Sequence, residues 1–207
     1  MDRISIVAVA SSTGDLEAVY EFLSALPAAC AQAFVIVQHL EAGRRETLLA
    51  ETLANRTSLK TVDTKDGVVP EQGHIYLTRA NATLTIVDGR ISLIPSASGL
   101  HRPGDTLFTS LAADRGESAI GIVLSGGGSD GALGVQAIKK AGGTTFAQYP
   151  GSARFPSMPI NAIETGCVKF VMRPNEIARE LTRLSHLDAS AEYSAPRVPL
   201  IGLPVTA

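Results

Sequence analysis

Residues Ile120–Gly134 read IGIVLSGGGSDGALG, a strand, a glycine turn and the start of a helix in fifteen residues. An apolar run, Ile120–Leu124, breaks into Ser125-Gly126-Gly127-Gly128, and Ser129 and Asp130 then lead into a helix-like segment. A buried strand feeding a glycine turn and a helix N-terminus is how open α/β sheets build ligand sites. Glycines let backbone amides approach a ligand, and the helix dipole favours negative charge there. Gly126, Gly128 and Gly131 also satisfy G-x-G-x-x-G. A dinucleotide site of that type needs an acidic residue about 20 positions further on, at the end of the next strand. Here the next strand ends at Gln148, and no Asp or Glu lies between Asp130 and Glu164. The match also falls late in the chain rather than in its first strand-to-helix turn, and a lone match is weak. These glycines need another explanation.

Outward from this stretch the pattern is an alternation of strands and helices. Ile4–Ala10 (ISIVAVA) is a strand buried on both faces, since it does not alternate. Ser11-Ser12-Thr13-Gly14 turns it into a helix with Leu16, Val19, Tyr20 and Leu23 on one face. Ala33–Gln38 is the second strand and ends at His39, and a helix is expected around Arg44–Ala54. Lys60–Leu77 holds short extended pieces, and Thr83–Val87 and Arg90–Ile94 flank Asp88-Gly89 as a type I′ hairpin. That hairpin is expected to attach to the main sheet as an antiparallel addition. Asp105–Asp114 is a helix, Ala119–Leu124 a strand, and a helix runs through Lys140 to Gly142-Gly143. Thr144–Gln148 and Cys167–Val171 are strands around a short helix near Met158–Thr165, and Pro174–Leu184 is the last amphipathic helix. The class is α/β, a doubly wound mostly parallel sheet with an antiparallel β-hairpin insertion. One domain is expected over 1–185, with 186–207 a proline-bearing tail or linker stub.

Composition excludes several classes of function. The 207 residues are 45% hydrophobic and 18% charged, which is globular rather than disordered. A net charge of −2 without a basic run, and the absence of Trp, argue against a nucleic-acid partner. The longest apolar stretches are too short to span a bilayer, and no signal peptide pattern opens the chain. A cytoplasmic location without membrane insertion is therefore expected. Cys30 and Cys167 form neither a metal spacing nor a disulfide framework, and both are read as reduced thiols filling core space. No metal cluster or cofactor is expected; His74 is read as ordering a loop and His186 as solvated.

In an open α/β sheet the loops after the strands line one crevice. Ser12 follows the first strand, His39 ends the second, and Asp130 follows the Ile120–Leu124 run. Serine, histidine and a carboxylate are the parts of an acyl-transfer site, in which the imidazole takes the serine proton and the carboxylate fixes the imidazole tautomer. Each residue also has a plainer reading: Ser12 as a helix cap, His39 as a hydrogen-bonded core residue, Asp130 as a cap or a ribose ligand. There is no G-x-S-x-G elbow, and the order Ser, His, Asp is not that of the α/β-hydrolases.

Several segments, taken in order, resemble the catalytic domain of the CheB-type protein-glutamate methylesterases of bacterial chemotaxis. They are VAVASSTGDLEAV (Val7–Val19), VIVQHL (Val35–Leu40), GHIYL (Gly73–Leu77), HRP (His101–Pro103), GIVLSGGGSDGALG (Gly121–Gly134), AIKKAGG with FAQ (Ala137–Gln148) and MPINAIETG (Met158–Gly166). The resemblance implies Ser12 as nucleophile, His39 as general base and Asp130 as the orienting carboxylate. It implies backbone amides of Thr13 and Gly127 as the oxyanion hole, and His101 and Met158 are candidate substrate contacts. The implied reaction is hydrolysis of γ-glutamyl methyl esters on the cytoplasmic helices of chemoreceptors, with methanol released and glutamine deamidation as a related activity. Asp130→Asn is expected to fold normally and lose activity through the wrong His39 tautomer.

The chain departs from the family pattern at named places. Gly127 stands where the family has methionine, and Asp15 where it has a second glycine. Tyr149-Pro150 and Ile160 replace an acidic segment and an arginine. These departures leave two alternatives: a weakened, methylesterase-like binding or regulatory domain, and an esterase for a different ester. The receiver domain that usually precedes and restrains the family's catalytic domain is not expected within these 207 residues. A stand-alone enzyme and a segment of a longer fusion are both open.

Overall fold

A computed structural model of the protein describes residues 5–12, 16–39, 52–53, 55–78, 82–95 and 102–188. Seven strands form one sheet: β1 (Ser5–Ser12), β2 (Gln32–His39), β3 (Lys60–Val62), β4 (His74–Leu77), β7 (Ile120–Val123), β8 (Thr144–Gln148) and β9 (Phe170–Met172). Their order is β3-β4-β2-β1-β7-β8-β9, and every pairing is parallel. The chain winds outward from β1 in one direction to β2, then resumes on its other side with β7. The topological switch therefore lies between β1 and β7, where open sheets place their ligands.

The apolar runs are explained by burial on both faces. Val7, Val9, Phe34 and Ile36 pack on one side with Phe22 and Leu23 of α1 (Leu16–Ser24) and Ile177 and Leu181 of α5 (Pro174–Asp188). Ile6, Ala8, Ala10 and Val35 pack on the other side under three helices: α2 (Pro103–Arg115), α3 (Ala132–Lys140) and α4 (Ser157–Glu164). Pro103 opens α2 where its missing N–H costs nothing. Lys139 and Lys140 close α3 at the negative end of its dipole.

The hairpin corrects one expectation. β5 (Ala82–Val87) and β6 (Arg90–Pro95) form a separate two-stranded sheet and are not bonded to the parallel one. Asp88 (φ 49°) and Gly89 (φ 74°) both adopt left-handed backbone, as a type I′ turn requires. The alternating strands have a single apolar face, Leu84, Ile86 and Ile91, and that face is covered by α2. Ser110 Oγ of α2 accepts the Ile86 amide at 3.0 Å and Asp114 accepts the Gly89 amide at 3.0 Å. The main sheet is thus wholly parallel.

Smaller differences have local causes. The last strand begins at Phe170 rather than Cys167. Thr145 Oγ1 donates to the Cys167 carbonyl (2.7 Å) and accepts the Lys169 amide (3.0 Å), so side-chain bonds hold that approach together with one main-chain bond from Lys169 N to the Thr145 carbonyl (3.1 Å). The final helix runs to Asp188, past the boundary expected at 185. Of the helix expected around Arg44–Ala54, only residues 52 and 53 are described, and they are helical. The tail beyond residue 188 lies outside the described residues. Cys30 is buried and donates to Gln32 Oε1 at 2.8 Å, and burial pushes its thiol pKa up. Cys167 is half-buried and also free. His74 Nδ1 lies 2.8 Å from the Gln72 carbonyl, consistent with a role in ordering its loop. Among the described residues no helix is long and apolar enough to cross a membrane.

Candidate active site

Three of the sequence-selected positions arrive at the C-terminal end of the sheet, beside the switch point. β1 and β2 run in parallel register, so that Ser12 is paired with His39. Adjacent strands lie about 4.8 Å apart, and side chains alternate between faces. Position 12 is in phase with Ala10, on the face covered by α2 and α3. The sequence reading selected these two residues separately, and the register is what makes them neighbours.

The glycine turn joins the site from β7. Leu124 N donates to the Ala10 carbonyl at 2.9 Å, and Ser12 N donates to the Ser125 carbonyl at 3.2 Å. The ladder between β1 and β7 therefore continues into the turn and holds Ser125-Gly126 beside Ser12. Gly126 has no room for a side chain. An added Cβ would fall on Met158 Sδ and lie 2.8 Å from Ser12 Cβ. The backbone of this turn is consequently in van der Waals contact with the serine.

The turn is braced from the β8 side. Gln148 Oε1 accepts the Ser125 amide at 2.8 Å, and Ser125 Oγ accepts the Phe155 amide at 3.0 Å. Gly126 N donates to the Phe155 carbonyl (2.9 Å), and the Gly126 carbonyl accepts from Met158 N (2.9 Å). Asn161 Nδ2 of α4 donates to the Gly128 carbonyl at 3.0 Å. With the Gly126 amide committed, no acceptor among the described residues is bonded to the Gly127 amide. A Cβ at Gly127 would meet nothing within 4 Å. Glycine at this position removes a side chain that would have stood in open space, and the turn's shape is fixed by its neighbours.

These geometries separate the two glycines experimentally. Gly126→Ala should destabilise the protein by about 1–3 kcal/mol, the usual cost of overpacking. Gly127→Ala should change stability by less than about 0.5 kcal/mol, as at an open surface position. Urea unfolding of the two variants checks the contrast.

Asp130 is 6% exposed, and its carboxylate is held by main chain. Oδ2 accepts the Gly104 amide and Oδ1 the Asp105 amide, both at 2.9 Å, at the N-terminus of α2. Gly104 is itself pressed against the sheet. A Cβ there would lie 2.9 Å from Ala10 Cβ and 3.0 Å from Asp130 Oδ2. The carboxylate thus sits over Ala10, two residues before Ser12 on the same face. Gly131, at φ 92°, makes the turn into α3 directly after it.

Asp105 of α2 lies in the same buried cluster. Its Oδ1 accepts the Gly134 amide of α3 at 2.8 Å. Arg102 Nε stands 3.0 Å from its Oδ2, off the N–H axis, so this contact is a charge pair rather than a hydrogen bond. Burial pushes the Asp105 carboxyl pKa up, and the charge of Asp130 adds to the rise. The Gly134 amide and the Arg102 guanidinium oppose it.

The remaining selected residues fall in three groups. Met158 is fully buried beneath Gly126, where it supports the turn from within the core. Gly127 is exposed at the apex of the turn. Thr13, Asp15 and His101 lie outside the described residues. Sequence reasoning overlooked Gln148, Arg102 and Asp105. Gln148 was legible only as a polar residue ending a buried strand. Arg102 was seen only as part of the rim segment His101–Pro103, and Asp105 only as the start of a helix.

A serine beside a histidine position, a buried main-chain-held carboxylate and an available glycine amide together suit nucleophilic acyl transfer. Comparison with known proteins points the same way. The sequence profile of the family described as CheB methylesterase matches residues 7–181. A protein-glutamate methylesterase/protein-glutamine glutaminase of Anaeromyxobacter dehalogenans is 34% identical over 183 residues, covering 86% of this chain and 53% of its own length. One from Caulobacter vibrioides is 37% identical over 171 residues, covering 79% of this chain and 49% of the relative. The chain therefore spans about half the length of these relatives. The crystal structure of the Thermotoga maritima CheB methylesterase catalytic domain matches with a TM-score of 0.79 at 26% identity. That match covers 87% of this chain and 98% of the other.

Proposed function

Because this chain belongs to the CheB methylesterase family, we propose that it is a serine hydrolase that demethylates γ-glutamyl methyl esters on the cytoplasmic helices of chemoreceptors. The supporting observation is the register of Ser12 with His39 beside the Ser125–Gly128 turn, with the Asp130 carboxylate fixed over Ala10. This arrangement supports reading Ser12 as nucleophile, His39 as base, Asp130 as orienting carboxylate and the Gly127 amide as oxyanion donor.

The reaction follows from these groups. Ser12 Oγ attacks the ester carbonyl while His39 takes the hydroxyl proton. The oxyanion is met by the Gly127 amide, together with the Thr13 amide that the family resemblance assigns to this role. His39 returns its proton to methoxide, and methanol leaves. Water, deprotonated by His39, then attacks the acyl-serine, and glutamate departs as Ser12 recovers its proton. The same steps applied to a glutamine side chain release ammonia. Asp130 keeps the proton of His39 on the nitrogen facing away from Ser12 and stabilises the imidazolium. Such a substrate places the protein in the cytoplasm, and a receiver or other fused domain is one means of restraining it.

Mass spectrometry of receptor peptides tests this reading. After incubation of methylated receptor membranes with the protein, γ-methyl glutamate should disappear and free glutamate appear at the same positions. Methyl esters that persist, while the protein binds the receptor, would instead make it a binding module. Turnover of other esters only would make it an esterase of another class.

A further inference from the structure

We propose that Asp105 is a positioning residue for the active site, holding the Asp130 carboxylate in its working orientation through a reciprocal exchange of caps between two helices. This inference rests on the esterase reading for its consequence, though not for its geometry. Asp130 precedes α3 and accepts two amides from the first turn of α2. Asp105, in that first turn of α2, accepts the Gly134 amide from the first turn of α3. Each helix N-terminus therefore gives amides to a carboxylate borne on the other helix or on the turn that leads into it.

The exchange closes a ring. From Asp130 it passes through the Asp105 amide, along the Asp105 side chain to Gly134, and back through one helical turn to Asp130. The Asp130 carboxylate cannot rotate without breaking its bonds to the first turn of α2, which the Asp105–Gly134 bond in turn ties to α3. Packing leaves little slack, since a Cβ at Gly134 would lie 2.5 Å from Phe108 Cβ, and Gly104 is equally confined by Ala10 and Asp130. Arg102 closes the outer side. Its Nη2 donates to the Ser129 carbonyl (3.0 Å) and to Ser129 Oγ (2.6 Å), while Nε faces Asp105. The residue immediately before Asp130 is thus tied to Arg102, the residue immediately before α2.

Two buried carboxylates so close together are unfavourable unless compensated. Here the Gly104, Asp105, Gly131 and Gly134 amides and the Arg102 guanidinium compensate. A cap for α3 alone needs no charge this close to a second buried acid, because a serine or asparagine would serve. The acidic pair with its arginine suits an arrangement that must hold Asp130 itself.

A double-mutant cycle on methyl-ester hydrolysis tests the proposal. Asp105→Ala should lower kcat by about 10²-fold, the cost of a small misplacement, with KM little changed. Asp105→Asn keeps an acceptor for Gly134 and should recover most of that loss. In the Asp130→Asn background, Asp105→Ala should cost less than about threefold more, because the residue it positions is already disabled. Thr145→Val removes two buried hydrogen bonds elsewhere in the sheet and should leave kcat unchanged at a comparable loss of stability. Amide exchange reads the ring independently of turnover, and Asp105→Ala should speed exchange at Gly104 at least about tenfold without affecting Val9. Equal losses in both backgrounds, or unchanged protection at Gly104, would overturn the proposal. An inactive wild type in which Gly104 exchange still responds would overturn only the esterase reading.

Discussion

Replacing Ser12 with alanine is expected to lower methyl-ester hydrolysis by at least ~10⁴-fold, as for other triad nucleophiles, and to leave the fold intact. Alanine keeps everything that Ser12 contributes to structure among the described residues. Its amide still reaches the Ser125 carbonyl, and its Cβ still packs on Gly126. Only the hydroxyl oxygen of a half-buried residue is lost. Kinetics and thermal melting on the same preparation check both halves of this expectation.

Asp130→Asn should cost a comparable ~10⁴-fold in kcat, but here the fold is also affected. The carboxylate offers an oxygen to each of two amides, Gly104 and Asp105. An asparagine side chain has one oxygen and one NH2, so in either orientation one amide faces a donor. Leaving a buried N–H in that position costs about 1–3 kcal/mol. The expectation from sequence, a variant that folds normally, therefore changes to one that is folded but less stable. Denaturant unfolding should show the loss, and rates should be compared where both proteins are fully folded. Wild-type turnover in this variant would remove Asp130 from the catalytic group.

Much of the site was legible because strand ends are legible. ISIVAVA and AFVIVQ announce buried parallel strands, and the residues after them had to meet at one edge of the sheet. The pairing of Ser12 with His39 was not legible, because register is set by long-range packing and leaves no local pattern. The hairpin strands were found from alternation and Asp88-Gly89, yet their placement over α2 was not, since one apolar face does not name its cover. The glycine turn was read as a ligand-approaching loop. The structure divides it into Gly126, which is small because Ser12 and Met158 crowd it, and Gly127, which stands open. The Arg102–Asp105–Ser129 brace joins residues about 25 positions apart, and no motif reports it.

The substitution of glycine for methionine at position 127 takes on a narrower meaning in this light. The turn is anchored by Gln148, Phe155, Met158 and Asn161, none of which depends on a side chain at 127. A side chain at position 127 would meet nothing within 4 Å, and Phe155 and Ile160 are likewise exposed.

Release of labelled methanol from chemoreceptor membranes carrying radiolabelled methyl esters separates ester hydrolysis at Ser12 from receptor binding alone. The wild-type chain should release volatile label in step with loss of methyl groups from receptor glutamates, and Ser12→Ala should release none above background. A folded wild-type chain that binds such receptors and releases no methanol, or a Ser12→Ala variant that releases it at the wild-type rate, would contradict the account.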